Sequence, residues 1–403
     1  MKKIKVIELF AGVGSQAMAL RNIGIDYEVI GISEIDKFAI KSYEAIHGEV
    51  HNFGDISKIE KLPYCDLLTY SFPCQDLSVA GHQTGISKDT RSGLLLEVKR
   101  LLLKAKENGT LPKYLLLENV KNLVGKKFIK DFERWLSFLN NLGYYSNWEV
   151  LNAKDYGVPQ NRERIFVVSS LENIHYNFPK QVELKSKMKD LLEEKVDDKY
   201  YLSEKLLKYF SDMKNRNGFT RGEKFNPRKL ENCNTAFAIT TRAGARATDN
   251  YIIQLGNLKN TESFGGNPQT ERVYSPDGIS PCLNTMQGGG LEPKILQKAH
   301  GFNKGGIKEN IVPALTKSSW QENNFLRDNM RIRKLTPLEC WRLMGFRDMD
   351  YYAAKSVGIS DAQLYKQAGN SIVVTVLEAI FRNLFFKKHR RKRGIVAEQI
   401  RIF

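Results

Sequence analysis

Lys5-Val6-Ile7-Glu8-Leu9-Phe10-Ala11-Gly12-Val13-Gly14-Ser15-Gln16-Ala17 decides the fold class. Its apolar first half reads as a buried strand and its small-residue second half as a tight turn. A helix is expected from there to about Ile23, with Gly24 as its C-terminal stop. A second strand, Glu28 to Ser33, ends at Glu34, and a helix over 36–47 stops at Gly48. Strand, glycine turn, helix, strand and an acid about 20 residues on form the dinucleotide fingerprint of a βαβ unit. The glycines let the backbone approach a ligand, and the acid can hold two ribose hydroxyls. Any adenosine cofactor satisfies the pattern. Asp55 follows a short apolar segment and is expected to end a third strand beside the adenine; read alone, it is equally a solvated loop carboxylate.

Further along, Leu67-Leu68 leads into Tyr70-Ser71-Phe72-Pro73-Cys74-Gln75-Asp76-Leu77-Ser78. The strand is expected to stop at Pro73, which disfavours helix in the residue before it. Cys74 then lies just past a strand end, where open α/β sheets place their ligands. The small and polar residues from Asp76 to Thr90 read as a long loop. A thiol there is a candidate nucleophile, although a lone cysteine also fits a buried structural role.

Leu94 to Leu103 is expected to be a buried helix, and Tyr114-Leu115-Leu116-Leu117 a buried strand ending in Glu118-Asn119-Val120. A carboxylate there is expensive to bury without a task or a partner. Phe128, Phe132, Trp135, Leu136 and Leu139 share one helical face, and Gly143 ends that helix. Val150-Leu151 and Ile165-Phe166-Val167-Val168 make two more strands, separated by Gln160-Asn161-Arg162-Glu163-Arg164. Strand alternation puts Arg162 and Arg164 on one face, suited to a phosphate or a polar base edge, or to a surface salt-bridge pair.

After Leu171 the alternation stops. Residues 181–215 are charged, with helical patches such as Met188 to Glu194. Residues 216–330 are rich in Gly, Asn, Thr and Arg and read as short strands with loops of base-reading residue types, or as a flexible insertion. Segments 238–241, 282–285 and 314–317 look weakly alike. Regular structure returns with a helix opened by Thr336-Pro337, then Gly369-Asn370-Ser371 ahead of an apolar helix to Phe386 and a basic tail at 387–393.

The chain has 403 residues, enough for two or three domains, and a net charge of +17, which favours a polyanionic partner such as nucleic acid. Five widely spaced cysteines with no C-x-x-C argue against a zinc site and a disulfide framework, and for a reducing compartment. Glu8 interrupts the N-terminal apolar run, so no signal peptide is expected, and no apolar run is long enough to span a bilayer.

In order, Phe10-Ala11-Gly12-Val13-Gly14, Pro73-Cys74-Gln75, Glu118-Asn119-Val120, Gln160-Asn161-Arg162-Glu163-Arg164, Thr336-Pro337-Leu338-Glu339-Cys340 and Gly369-Asn370-Ser371 resemble the cytosine carbon-5 DNA methyltransferase family. The resemblance covers most of residues 4–170 and 331–386. It implies an α/β, Rossmann-like S-adenosylmethionine-dependent methyltransferase sheet with a smaller, irregular target recognition domain. The expected division is 1–175 for catalysis and cofactor, 176–330 for target recognition, and 331–403 for a hinge and a helix returning to the catalytic domain. It implies Cys74 as nucleophile on cytosine carbon 6, Glu118 at the ring edge, and Arg162 and Arg164 holding the base and its backbone. Phe10, Gly12, Gly14, Glu34, Asp55, Ile56 and Asn370 would line the S-adenosylmethionine pocket. Many members carry a bulky aromatic where this chain has Ile35, so adenine packing there is expected to be aliphatic. The implied partner is double-stranded DNA, with the target base flipped into the site and His82 or Gln83 filling the gap. No metal, membrane or stable protein partner is implied; a cytoplasmic, nucleoid-associated monomer is expected. The target sequence, and whether a restriction enzyme accompanies the protein, are not written in the chain. A nicotinamide-dependent oxidoreductase would share the glycine turn and the acid, yet leaves Pro73-Cys74-Gln75 and Glu118-Asn119 unexplained.

Overall fold

The computed structural model describes residues 3–73, 93–200 and 335–386 in full, and four strands between 254 and 334 by their backbone. The central sheet contains β1 (Ile4–Leu9), β2 (Tyr27–Ser33), β3 (Leu67–Tyr70), β4 (Tyr114–Val120), β5 (Tyr145–Asn152) and β6 (Glu163–Ser170), in the order β2-β1-β3-β4-β6-β5. The first four of that order are parallel neighbours, whereas β6 runs antiparallel between β4 and β5.

Both faces of this sheet are covered, which is why its strands read as unbroken apolar runs. Val6, Leu67, Leu116, Phe166 and Val168 point to one core. Ile7, Leu68, Leu115, Leu117, Ile165 and Val167 point to the other. The first face packs on α1 (Ser15–Asn22) and on the last described helix, α8 (Val374–Phe386). The second packs on α3 (Leu94–Glu107) and α4 (Ile129–Asn141), through residues such as Val98, Leu101, Phe132 and Trp135. Between β2 and β3 lies α2 (Lys37–His47), capped by the Asp36 carboxylate, which accepts from the backbone N–H groups of Phe38 and Ala39.

The C-terminal part adds α5 (Pro337–Leu343), α6 (Asp348–Ser356) and α7 (Asp361–Asn370). Thr336 caps α5 and forms a capping box with Glu339, as the Thr-Pro opening predicts. By composition the stretch Asp361–Phe386 is long and apolar enough to cross a membrane, but it breaks between α7 and α8 and 61% of its most apolar window is buried inside the fold. A second sheet orders β10 (Met330–Lys334), β9 (Lys294–Lys298), β8 (Arg272–Tyr274) and β7 (Gln254–Asn257), with β8 and β9 parallel and the other pairs antiparallel.

Several expectations change. Asp55 does not end a strand: it caps a single helical turn, Ile56–Lys58, by accepting from Ser57. The helical patch expected over Met188 to Glu194 is one turn, Met188–Leu191. It stops there as Glu193 bonds the α5 N-terminus, its N–H donating to Glu339 Oε1 at 2.8 Å. Gly369 and Asn370 end α7, and the apolar helix expected after them begins at Val374. Residues 176–200 pack on the C-terminal helices. Tyr176 donates to Ile380 O, Arg342 to Leu191 O and Tyr200 to Asp361, and Met188 is fully buried. The segments at 238–241, 282–285 and 314–317, the 76–90 loop with His82 and Gln83, and the basic tail lie outside the described residues.

Candidate active site

The glycine turn takes its shape from three residues at left-handed φ: Phe10 at 59°, Gly12 at 57° and Gly14 at 79°. Phe10 is the sole non-glycine at positive φ among the described residues, at a cost of about 1–2 kcal/mol. Backbone bonds hold it there, since Phe10 and Ala11 both donate to Ser33 O, at 2.8 and 3.2 Å. Glycine at 12 and 14 avoids the Cβ clash of that conformation.

Glu34 faces this turn. One of its carboxylate oxygens accepts from Gly12 N at 2.9 Å; the other accepts from Ile35 N and Asp36 N at 2.8 and 2.9 Å. Asn52 braces the same residue, taking a bond from Glu34 N and donating to Glu34 O. An acid fixed by three backbone donors is pre-oriented for ribose hydroxyls, and the turn leaves the backbone open to a close-lying group, so these residues fit an adenosine cofactor. Ile35 is 75% exposed, beside Glu34. Ile56 instead buries its side chain in the core. Asp55 uses one oxygen to cap its turn, and Ser57 holds its carboxyl below the usual range. Asn370 is exposed at the end of α7.

The other half of the edge is built by β3, β4 and β6. Register sets Val120 opposite Arg164 and Glu118 opposite Phe166, so Glu118 and Arg164 are diagonal neighbours on one face. Arg164 Nε lies 3.3 Å from Glu118 Oε1. Glu118 is only 7% exposed. Burial pushes its carboxyl up, while the guanidinium groups of Arg164 and Arg162 and the Ser71 hydroxyl pull the other way. The two arginines do share a face, but they divide the work. Arg162 is buried and donates from Nη2 to Gly369 O and Ser371 O, at 3.0 and 2.9 Å, clamping the turn that carries Asn370. Those bonds tie the two halves of the site to each other. On the opposite face Asn119 donates to Phe72 O at 3.0 Å, fixing the approach to Pro73. Cys74 follows Pro73 in the chain and lies outside the described residues. Among the described residues no group of His, Cys, Asp or Glu converges as a metal site.

With this geometry in place, the comparisons with known proteins fall into one family. A family model for C-5 cytosine-specific DNA methylases matches residues 4–386. The chain belongs to that family. It is a DNA cytosine-5-methyltransferase. The orphan methyltransferase M.SPBetaI of Bacillus phage SPbeta is 35% identical, over 95% of this chain and 98% of that protein. The type II methyltransferase M2.ScrFI of Lactococcus lactis subsp. cremoris is 33% identical over 95% and 99%. Among solved structures, the Dnmt2 methyltransferase of S. pombe superposes with a TM-score of 0.60 at 20% identity, covering 95% of this chain and 98% of that one. Entamoeba histolytica EhMeth gives 0.61 at 18% identity, covering 96% and 100%. These two likenesses speak for the fold.

Sequence reading of the methyltransferase missed Asn52, Tyr43, His47 and Gln367 at the site. Glu8 entered it solely as a break in an apolar run. It is in fact buried on β1, accepting from Ala17 N at the start of α1 and from Tyr43 OH, at 2.8 and 2.7 Å. A charge inside a strand that reads as wholly apolar was the available signal.

Proposed function

We propose that this methyltransferase methylates carbon 5 of a cytosine flipped out of duplex DNA, through a covalent bond between Cys74 and carbon 6 of the base. The observation that carries the reading is the buried Glu118–Arg164 pair on the sheet edge, on the strand whose next residue, Asn119, holds Phe72 and Pro73 in place. Burial pushes this carboxyl up and so favours the protonated form that can share its proton with ring nitrogen 3, which promotes addition at carbon 6. Cys74 adds as thiolate; carbon 5, now enamine-like, becomes the nucleophile. Loss of the carbon-5 proton and then of the Cys74 thiolate restores the ring. Arg164 orients Glu118. Phe10, Gly12, Gly14, Glu34, Asp55 and Asn370 hold S-adenosylmethionine, with Ile56 shaping the pocket from the core. When bound, S-adenosylmethionine supplies an electrophilic methyl group.

Base readout belongs to the region after Tyr200, because residues up to that point pack on the catalytic helices. The enzyme works on cytoplasmic, nucleoid DNA, with no metal. The test is a duplex carrying 5-fluorocytosine at the target position. Fluorine cannot leave as a cation, so the base should be methylated once and stay bonded to the protein through denaturing electrophoresis. Cys74→Ser should abolish the bond, because a hydroxyl is scarcely ionised at neutral pH. A Cys74→Ser protein that still traps, or an RNA acceptor used in place of duplex DNA, overturns the reading.

A further inference from the structure

The glycine turn is shaped from above by Ser33 and Glu34. Beneath it lies α2, whose C-terminal half carries two rings that no step of the proposed chemistry uses. Tyr43 is fully buried, and the His47 ring packs against it at a 44° tilt with centroids 4.5 Å apart. His47 Nε2 lies 3.1 Å from Val13 O. Because a carbonyl only accepts, the ring must carry its proton on Nε2 there. Burial holds the imidazole down to about 4, so this neutral form is the one present at working pH. Tyr43 OH donates to Glu8 Oε2, and Glu8 Oε1 accepts Ala17 N, the first turn of the helix that the glycine turn opens. A Cβ placed on Gly14 would sit 2.5 Å from His47 Nε2 and 2.6 Å from the Tyr43 ring, so the backbone of the turn rests directly on both. The opposite end of α2 is fixed as well: Asp36 pairs with Lys366 at 2.7 Å, and Phe38 O accepts from Gln367, both on the helix that ends in Asn370.

We propose that Tyr43 and His47 are positioning residues of the methyltransferase, holding Val13 and Gly14 in the left-handed turn that receives S-adenosylmethionine. The proposal rests on the reading of that turn as the cofactor site. The strained turn has to be assembled before the ligand arrives; otherwise part of the binding energy is used to form it. A donor on Val13 O and a hydroxyl on Glu8 supply that assembly from outside the pocket, without touching the ligand.

The test uses the full chain and S-adenosylhomocysteine as the probe, by calorimetry, with steady-state methylation in parallel. Tyr43→Phe keeps the ring under Gly14 and removes only the hydroxyl. His47→Leu fills the space without a donor, and His47→Gln returns a donor to Val13 O. Tyr43→Phe and His47→Leu should each weaken the probe and raise KM for S-adenosylmethionine about tenfold. Saturating kcat and duplex DNA affinity should stay within twofold. His47→Gln should recover most of the loss. A folded His47→Leu with unchanged probe affinity, a loss appearing in kcat, or a His47→Gln no better than His47→Leu overturns the proposal. Should His47→Leu not fold, the wild type still decides: in the 15N-histidine-labelled protein the His47 Nε2–H signal, identified by its absence from His47→Gln, must shift on adding the probe, and an unmoved signal overturns it. Glu34→Ala separates the two readings: a wild type that does not bind the probe, or a Glu34→Ala that binds it undiminished, defeats the cofactor site itself, whereas normal dependence on Glu34 with indifference to Tyr43 and His47 defeats only the positioning role.

Discussion

Glu8 and Glu118 sit on the same face of one sheet, on β1 and β4, with β3 between them. Both are buried, and burial pushes both carboxyls up. They differ in what surrounds them. Glu8 meets a backbone N–H and a tyrosine hydroxyl, neutral donors that consume its oxygens. Glu118 meets two guanidinium groups and a serine hydroxyl at an edge where a ligand can enter. A buried carboxyl with neutral partners is a bracket. One with cationic partners and an open side can take part in proton chemistry. The difference lies in neighbours brought from distant parts of the chain.

The largest effect that can break this comparison is on turnover. Glu118→Gln should lower kcat by about 10²–10³-fold with duplex affinity retained, as expected for loss of one charge-stabilising group. Glu8→Gln should leave saturating kcat within a few-fold. Single-turnover methylation of a labelled duplex measures both, and equal losses would erase the distinction.

Stability against pH is next. Glu8 is pushed up to about 7 from an ordinary 4.5. The folded state therefore keeps a proton that the unfolded chain has released, and stability falls as pH rises from 4.5 to 7, by about 3 kcal/mol. His47, held down to about 4 from 6.5, has the opposite sign: its share is lost as pH falls from 6.5 to 4, again by about 3 kcal/mol. Urea unfolding of wild type, Glu8→Gln and His47→Gln across pH 4–8 should show each slope vanish with its own residue.

Glu34→Ala should weaken S-adenosylhomocysteine by about 1–3 kcal/mol, because charged hydrogen bonds to the ribose are lost along with a brace on Gly12. DNA affinity without cofactor should not move. The smallest expected change is at Ser71. Its hydroxyl lowers the Glu118 carboxyl, so Ser71→Ala should raise it and shift upward the pH at which activity dependent on protonated Glu118 declines. A downward shift would mean that Ser71 acts elsewhere.

Much of the architecture was legible because it is local. The runs Lys5–Phe10, Leu67-Leu68 and Tyr114–Leu117 announce the buried strands Ile4–Leu9, Leu67–Tyr70 and Tyr114–Val120, and Gly48 and Thr336 mark helix ends at the residues observed. Glu34, Glu118 and the arginines were singled out by spacing and position. What stayed hidden depends on pairing across the chain. Nothing near Arg162 says that it reaches Gly369 and Ser371, and nothing near Tyr43 points to Glu8. Asp55 was misread because a capping carboxylate and a strand-end carboxylate follow the same apolar cue. The 188–194 patch was misread because Glu193 is drawn off to the start of α5, a partner almost 150 residues away (roughly a domain length).

The packing of α1 against α8 has a consequence during synthesis. Asn22 bonds Glu378, Arg21 bonds Asp350, and the apolar face of α1 is covered by α8, the last described helix. On the ribosome, the glycine turn and its helix emerge about 350 residues ahead of the helix that covers them. At about 5–20 residues per second, that wait is on the order of 20–70 s. For that interval a half-covered sheet is exposed to chaperones and proteases, and a polypeptide cut short anywhere before α8 lacks the helix that closes the first core. The enzyme therefore becomes competent only once α8 has been made, so a chain that lacks α8 should not modify the genome it is made in.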